Sequence, residues 1–125
     1  MLAIRRICML SGLLVLTLLS ACTASYTPFL RSEPAVDSVL TRAPRTIRLF
    51  YNALPDVEQS SLSLTGPAGE YRLRGMHSMA SDDLMIEILE PAATDGDYTV
   101  QWTTVVADDP SIYTGSYSFT VSSDQ

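Results

Sequence analysis

Gly96-Asp97-Tyr98-Thr99-Val100-Gln101-Trp102-Thr103-Thr104-Val105-Val106 and Gly115-Ser116-Tyr117-Ser118-Phe119-Thr120-Val121 are the two runs whose reading decides the fold. Both are rich in β-branched and aromatic residues, which suit a pleated, half-buried surface. In the second run Tyr117, Phe119 and Val121 fall on one side, the period of an extended chain. Asp95-Gly96 is a turn signal ahead of the first. Working outward, Ile47 and Leu49 alternate with Thr46 and Arg48. Leu62 and Leu64 alternate with Ser61, Ser63 and Thr65, and Gly66-Pro67-Ala68-Gly69 makes a turn. Tyr71 and Leu73 alternate with Arg72 and Arg74, and Leu84, Ile86 and Ile88 with Met85, Glu87 and Leu89. No long window carries a helical period. With an extended piece near Phe29 to Pro34, the pattern predicts about seven short strands. That predicts an all-β, immunoglobulin-like β-sandwich of Greek-key type, with Trp102 packed between the sheets.

The chain has 125 residues, enough for one domain. Hydrophobic residues make up 46% and charged residues 18%, a globular composition. There are 14 acidic residues against eight basic ones, all arginine. That balance excludes a nucleic-acid binder, which needs a basic patch for phosphate. His77 is the only histidine, so a site needing two histidines from one chain is excluded.

The N-terminus reads as an address. Arg5 and Arg6 precede a nearly apolar run from Ile7 to Leu19. At roughly 13 residues the run has the length of a signal-peptide core and is too short for a comfortable membrane span. Leu19-Ser20-Ala21-Cys22 resembles the bacterial lipobox. The resemblance implies a signal peptide over 1–21, cleavage before Cys22 and acylation of Cys22. Two or more buried acyl chains give stable membrane attachment. Residues 22–27 then form an acylated tether and 28–123 the sandwich domain. Cys8 leaves with the leader, so the mature domain has neither free thiol nor disulfide. Thr23, where an aspartate would resemble an inner-membrane retention signal, points to the outer membrane, facing the periplasm.

The order of these pieces resembles the CopC family of periplasmic copper-resistance proteins. The resemblance rests on Ser32-Glu33-Pro34-Ala35, Ala43-Pro44 before Thr46 to Phe50, Leu62 to Gly69, Gly96 to Asp108 and Gly115 to Val121. It implies a copper-handling role in copper tolerance, without catalysis. It also implies a Cu(II) site made by a histidine at the mature N-terminus and an Asp-x-His motif after the tryptophan strand. Here Asp108 matches the aspartate, Pro110 stands at the histidine position, and Tyr26 falls near the N-terminal one. The stretch Asp108 to Tyr113 reads as a loop, with Asp108 and Asp109 as a solvated acidic turn in it.

A second candidate is Met76-His77-Ser78-Met79, read as a hairpin loop with two thioethers and the sole imidazole. Such soft donors select Cu(I) over hard ions. Met85 on the following strand adds a possible third sulfur. The alternative for these methionines is filling of a hydrophobic rim. The expected metal residues are therefore Met76, His77, Met79 and Asp108, with copper more as Cu(I) than Cu(II). Expected partners are the membrane, through Cys22, and a copper transporter or other periplasmic protein. The mature chain has no cysteine nucleophile, and Ser78, His77 and Asp82 are too close in sequence for a triad, whose members come from separate segments. A copper-free interaction domain that kept the fold and lost the site is the competing reading.

Overall fold

The computed structural model describes residues 26–79 and 81–124. The leader, Cys22 and most of the tether lie outside the described residues.

Among the described residues nine strands form in chain order: β1 (Phe29–Glu33), β2 (Val39–Leu40), β3 (Thr46–Tyr51), β4 (Ser61–Gly66), β5 (Gly69–Tyr71), β6 (Leu73–His77), β7 (Asp83–Ile88), β8 (Gly96–Val106) and β9 (Asp109–Val121). They make a four-stranded sheet, β1-β3-β7-β6, and a five-stranded sheet, β2-β9-β8-β4-β5. The short β2 pairs parallel with β9, and the other pairs are antiparallel. The chain is an all-β sandwich, as the alternation predicts.

The period of two sorts residues between core and water. Ile47, Leu49 and Tyr51 of β3 face Leu84, Ile86 and Ile88 of β7 within one layer, and Leu64, Tyr98, Val100, Trp102, Tyr117, Phe119 and Val121 supply the other. Trp102 is 5% exposed. It stacks on Phe29 with centroids 5.3 Å apart and meets Tyr51 edge-on at 5.9 Å. The Tyr51 hydroxyl shares a buried hydrogen bond of 2.7 Å with Thr104 Oγ1. Burial pushes the phenols of Tyr51 and Tyr117 up to about 12, so both stay neutral at physiological pH.

Three details depart from the sequence reading. First, the run Tyr71 to Arg74, read as one strand, is two. Tyr71 closes β5 opposite Leu64, while Leu73 opens β6 opposite Ile88 in the other sheet. The chain changes sheets at Arg72, and both flanking apolar side chains still reach the shared interior. Second, Asp109 to Tyr113 is the start of a long strand, not a loop. β8 and β9 stay paired up to Val106 and Asp109, leaving Ala107 and Asp108 as the turn. Asp108 takes the left-handed conformation there, with φ 62°, which aspartate tolerates better than most residues. Third, Met76 and His77 belong to β6, and only Ser78 and Met79 lie beyond its end.

Candidate metal centre

The phase of β6 decides which side chains meet. Arg74 pairs with Glu87 and His77 with Met85, so Gly75 and Met76 together oppose Ile86. This is a β-bulge, and Gly75 sits at φ 70°, the left-handed conformation that glycine adopts freely. The extra residue resets the alternation. Leu73 faces the core and Arg74 the solvent, where it bonds Glu87. Without the bulge, Met76 would turn outward and His77 inward. With it, Met76 packs against the core and His77 is exposed. Replacing Gly75 by alanine forces an L-residue into that conformation, and the expected cost is about 1–2 kcal/mol. Urea unfolding checks this, with Gly75→Asn expected to lose less.

On the outer face, His77 Nδ1 lies 2.5 Å from the Gly75 carbonyl oxygen. Only a protonated nitrogen can donate to a carbonyl, so this contact places the proton on Nδ1. His77 Nε2 lies 3.1 Å from Met79 Sδ. Met79 is held from its backbone: its amide donates to Asp83 Oδ1 at 2.8 Å. The Ser78 hydroxyl shares its one proton between the Ser81 carbonyl at 2.9 Å and the same Asp83 oxygen at 3.1 Å, and Arg48 Nε donates to Oδ2 at 2.6 Å. Asp83 is completely buried. Burial would push its carboxyl up, but the Met79 amide, the Arg48 guanidinium and the Ser78 hydroxyl together hold it below the usual carboxylate range.

Sequence reasoning missed Asp83 and the bulge. A glycine inside a strand pattern was the available signal for the bulge. For Asp83 the signal was weaker: an acid one position ahead of the apolar alternation Leu84-Ile86-Ile88, with an arginine on a neighbouring strand.

The structure thus joins His77 to Met79 and sends Met76 to the opposite face. Asp108 is elsewhere, at the tip of the β8–β9 turn in the five-stranded sheet, on the rim of an open cleft of about 610 Å³. Other carboxylates on that rim are engaged by their own turns. Asp56 accepts from the amides of Glu58 and Gln59, and Asp109 from the Ser111 amide and the Tyr113 hydroxyl. Tyr26 stands edge-on to Tyr113 at 5.8 Å and donates from its hydroxyl to Asn52 at 3.1 Å. Among the described residues, no three side chains drawn from histidine, cysteine, aspartate and glutamate converge as a metal site.

The family model described as the CopC domain matches residues 29–122, and the chain belongs to that family. Among solved structures it is similar to PcoC from Escherichia coli, described as a methionine-rich copper resistance protein. The two share 27% identity and a TM-score of 0.68 over 78% of this chain and 100% of the other. CopC from Methylosinus trichosporium OB3b shares the fold, with a TM-score of 0.68 and 20% identity over 80% and 97% of the two chains. No curated protein sequence matches the chain.

Proposed function

We propose that this chain is a lipid-anchored, periplasm-facing protein that holds copper and passes it on without catalysing a reaction. Membership of the CopC family across 29–122 carries the reading. The likeness to a copper resistance protein at 27% identity supports it. The anchor rests on Leu19-Ser20-Ala21-Cys22 after its apolar run. Outer-membrane placement rests on Thr23.

Of the expected metal residues, His77 and Met79 are the pair whose donor atoms approach each other. Asp108 has no such company. The position where the family's histidine would follow is Pro110, and at the N-terminal position Tyr26 packs on Tyr113. A lone carboxylate does not hold Cu(II) selectively, since tetragonal nitrogen-rich sets suit that ion. Copper is therefore assigned to the thioether–imidazole face, as Cu(I).

The test uses the processed lipoprotein purified in detergent. Under a competing chelator it is expected to bind Cu(I) with at least micromolar affinity, and to lose that binding when Met76, His77 and Met79 are replaced together. Competition matters because an acidic surface collects Cu(II) nonspecifically. No binding of either oxidation state overturns the proposal and leaves the copper-free interaction domain, a reading the tyrosine pair at the hairpin end favours. Mass spectrometry of the exported product tests the anchor: an unmodified Cys22 or an intact leader refutes it.

A further inference from the structure

We propose that His77 Nε2, Met79 Sδ and Met85 Sδ form a three-donor site for a soft monovalent cation on the outer face of the β6–β7 pair. The choice of Cu(I) as that cation rests on the copper-holding reading above. The donor set rests on geometry.

The first observation is a contact between two lone pairs. With Nδ1–H given to the Gly75 carbonyl, neutral His77 carries no proton on Nε2, and a thioether sulfur carries none either. In that tautomer two acceptors face each other at 3.1 Å, whereas a doubly protonated ring would give Nε2–H to the sulfur. An electrophile between them turns that arrangement favourable. With zinc's bond lengths as a guide, about 2.0 Å to imidazole nitrogen and about 2.3 Å to thiolate sulfur, donors 3.1 Å apart would subtend about 90° at a shared ion. The span is already that of a chelate.

The second observation is the register. His77 and Met85 are direct cross-strand partners. Facing residues of an antiparallel pair hold their Cβ atoms roughly 4.5–5.5 Å apart on one face, and a methionine side chain is long and adaptable enough to close that gap. Met85 is on the outer face because Leu84 and Ile86, its neighbours along β7, are in the core. Its other flank is Arg48, whose charge is engaged by Asp83. A cation bound beside Met85 therefore meets an ion pair and not a free guanidinium.

The third observation is support from Asp83, two residues from Met85 along β7. Asp83 fixes Met79 through the backbone amide and leaves the sulfur unencumbered. Asp83 is a positioning residue here. The site is open outward, since Met79 is 48% exposed and β6 is a sheet edge. An incoming donor from a partner can reach the ion directly, as transfer requires. Met76, on the opposite face of the same strand, is excluded from the donor set.

The test follows methionine methyl signals. The processed lipoprotein in micelles, carrying 13C-methyl methionine and 15N-histidine, receives equimolar Ag(I) as a redox-inert stand-in for Cu(I). The Met79 and Met85 methyls and His77 Nε2 are expected to shift together, while the Met76 methyl stays. A stationary Met85, or Met76 moving with Met79, overturns the proposal. In parallel, Cu(I) affinity is expected to fall about tenfold or more in Met85→Leu and to stay within about twofold in Met76→Leu, both near-isosteric changes. Equal affinity in Met85→Leu and the unaltered protein also overturns it. If the unaltered protein binds Cu(I) but His77, Met79 and Met85 are all dispensable, this site and the assignment of copper to that face are wrong, and copper holding by the chain stands. If it binds copper in neither oxidation state, both fall.

Discussion

Asp83→Ala is expected to lower the unfolding free energy by about 3 kcal/mol, near the low end for breaking a buried ion pair. The carboxylate receives Arg48 Nε, the Met79 amide and the Ser78 hydroxyl, and its removal leaves all three without that partner. Arg48 recovers part of the loss, because its side chain is 28% exposed and reaches water. Asp83→Asn keeps an acceptor oxygen and the shape but loses the charge, so about half the effect is expected. The pH dependence has a defined sign. A carboxyl whose folded pKa is depressed contributes stability above its unfolded pKa, about 3.9, and loses it as pH falls through the folded value. The unaltered protein should thus lose stability progressively below about pH 4, and Asp83→Ala should show a flatter slope there. Urea unfolding at pH 7 and at stepped acid pH measures both. An unchanged midpoint at pH 7 refutes the role assigned to Asp83. Cu(I) affinity should also fall, because Met79 loses its anchor.

The same residue shows why the site was less legible than the fold. Alternation in Ile47–Leu49, Leu62–Leu64, Leu84–Ile88 and Tyr117–Val121 states which side chains share a face, and burial follows that assignment. The sandwich was therefore readable wherever a strand keeps its phase. At Arg72 the chain changes sheets without breaking the apolar alternation, because the two sheets share one interior. At Gly75 the bulge inverts the phase, so counting from Leu73 without it puts Met76 outside and His77 inside. Reading Met76 to Met79 as a loop hid the inversion. Asp109-Pro110 carried loop chemistry into a strand because β9 pairs with β8 again at Asp109–Val106, and Pro110 falls in the register irregularity between Val105 and Val106, where a proline is tolerated. Local composition reported the donors, and non-local pairing decided which of them meet. His77 meets Met79 within the chain's own turn. Its register with Met85 depends on where β7 docks.

The strand that carries Met85 is also part of the core's framework. β7 is fixed by β3, and β3 presents Tyr51 to Trp102 across the sandwich.

Gly115→Ala is the sharpest test of that packing, with an expected cost of about 3 kcal/mol, the upper end for overpacking a core. Gly115 lies directly across from Trp102 in the β8–β9 ladder. A Cβ at Gly115 would overlap Trp102 Cζ2 and stand 2.7 Å from Cε2, inside contact distance. The indole cannot turn aside without disturbing its stack on Phe29 and its edge contact with Tyr51. Because Trp102 is the only tryptophan, its fluorescence reports the displacement directly. The emission is expected to shift toward that of a more exposed indole as the urea midpoint falls. A double-mutant cycle isolates the cause. In a Trp102→Phe background the smaller ring leaves room, so Gly115→Ala should cost less than half as much, although Trp102→Phe is itself destabilising. Equal costs in the two backgrounds would place the strain elsewhere than against the indole.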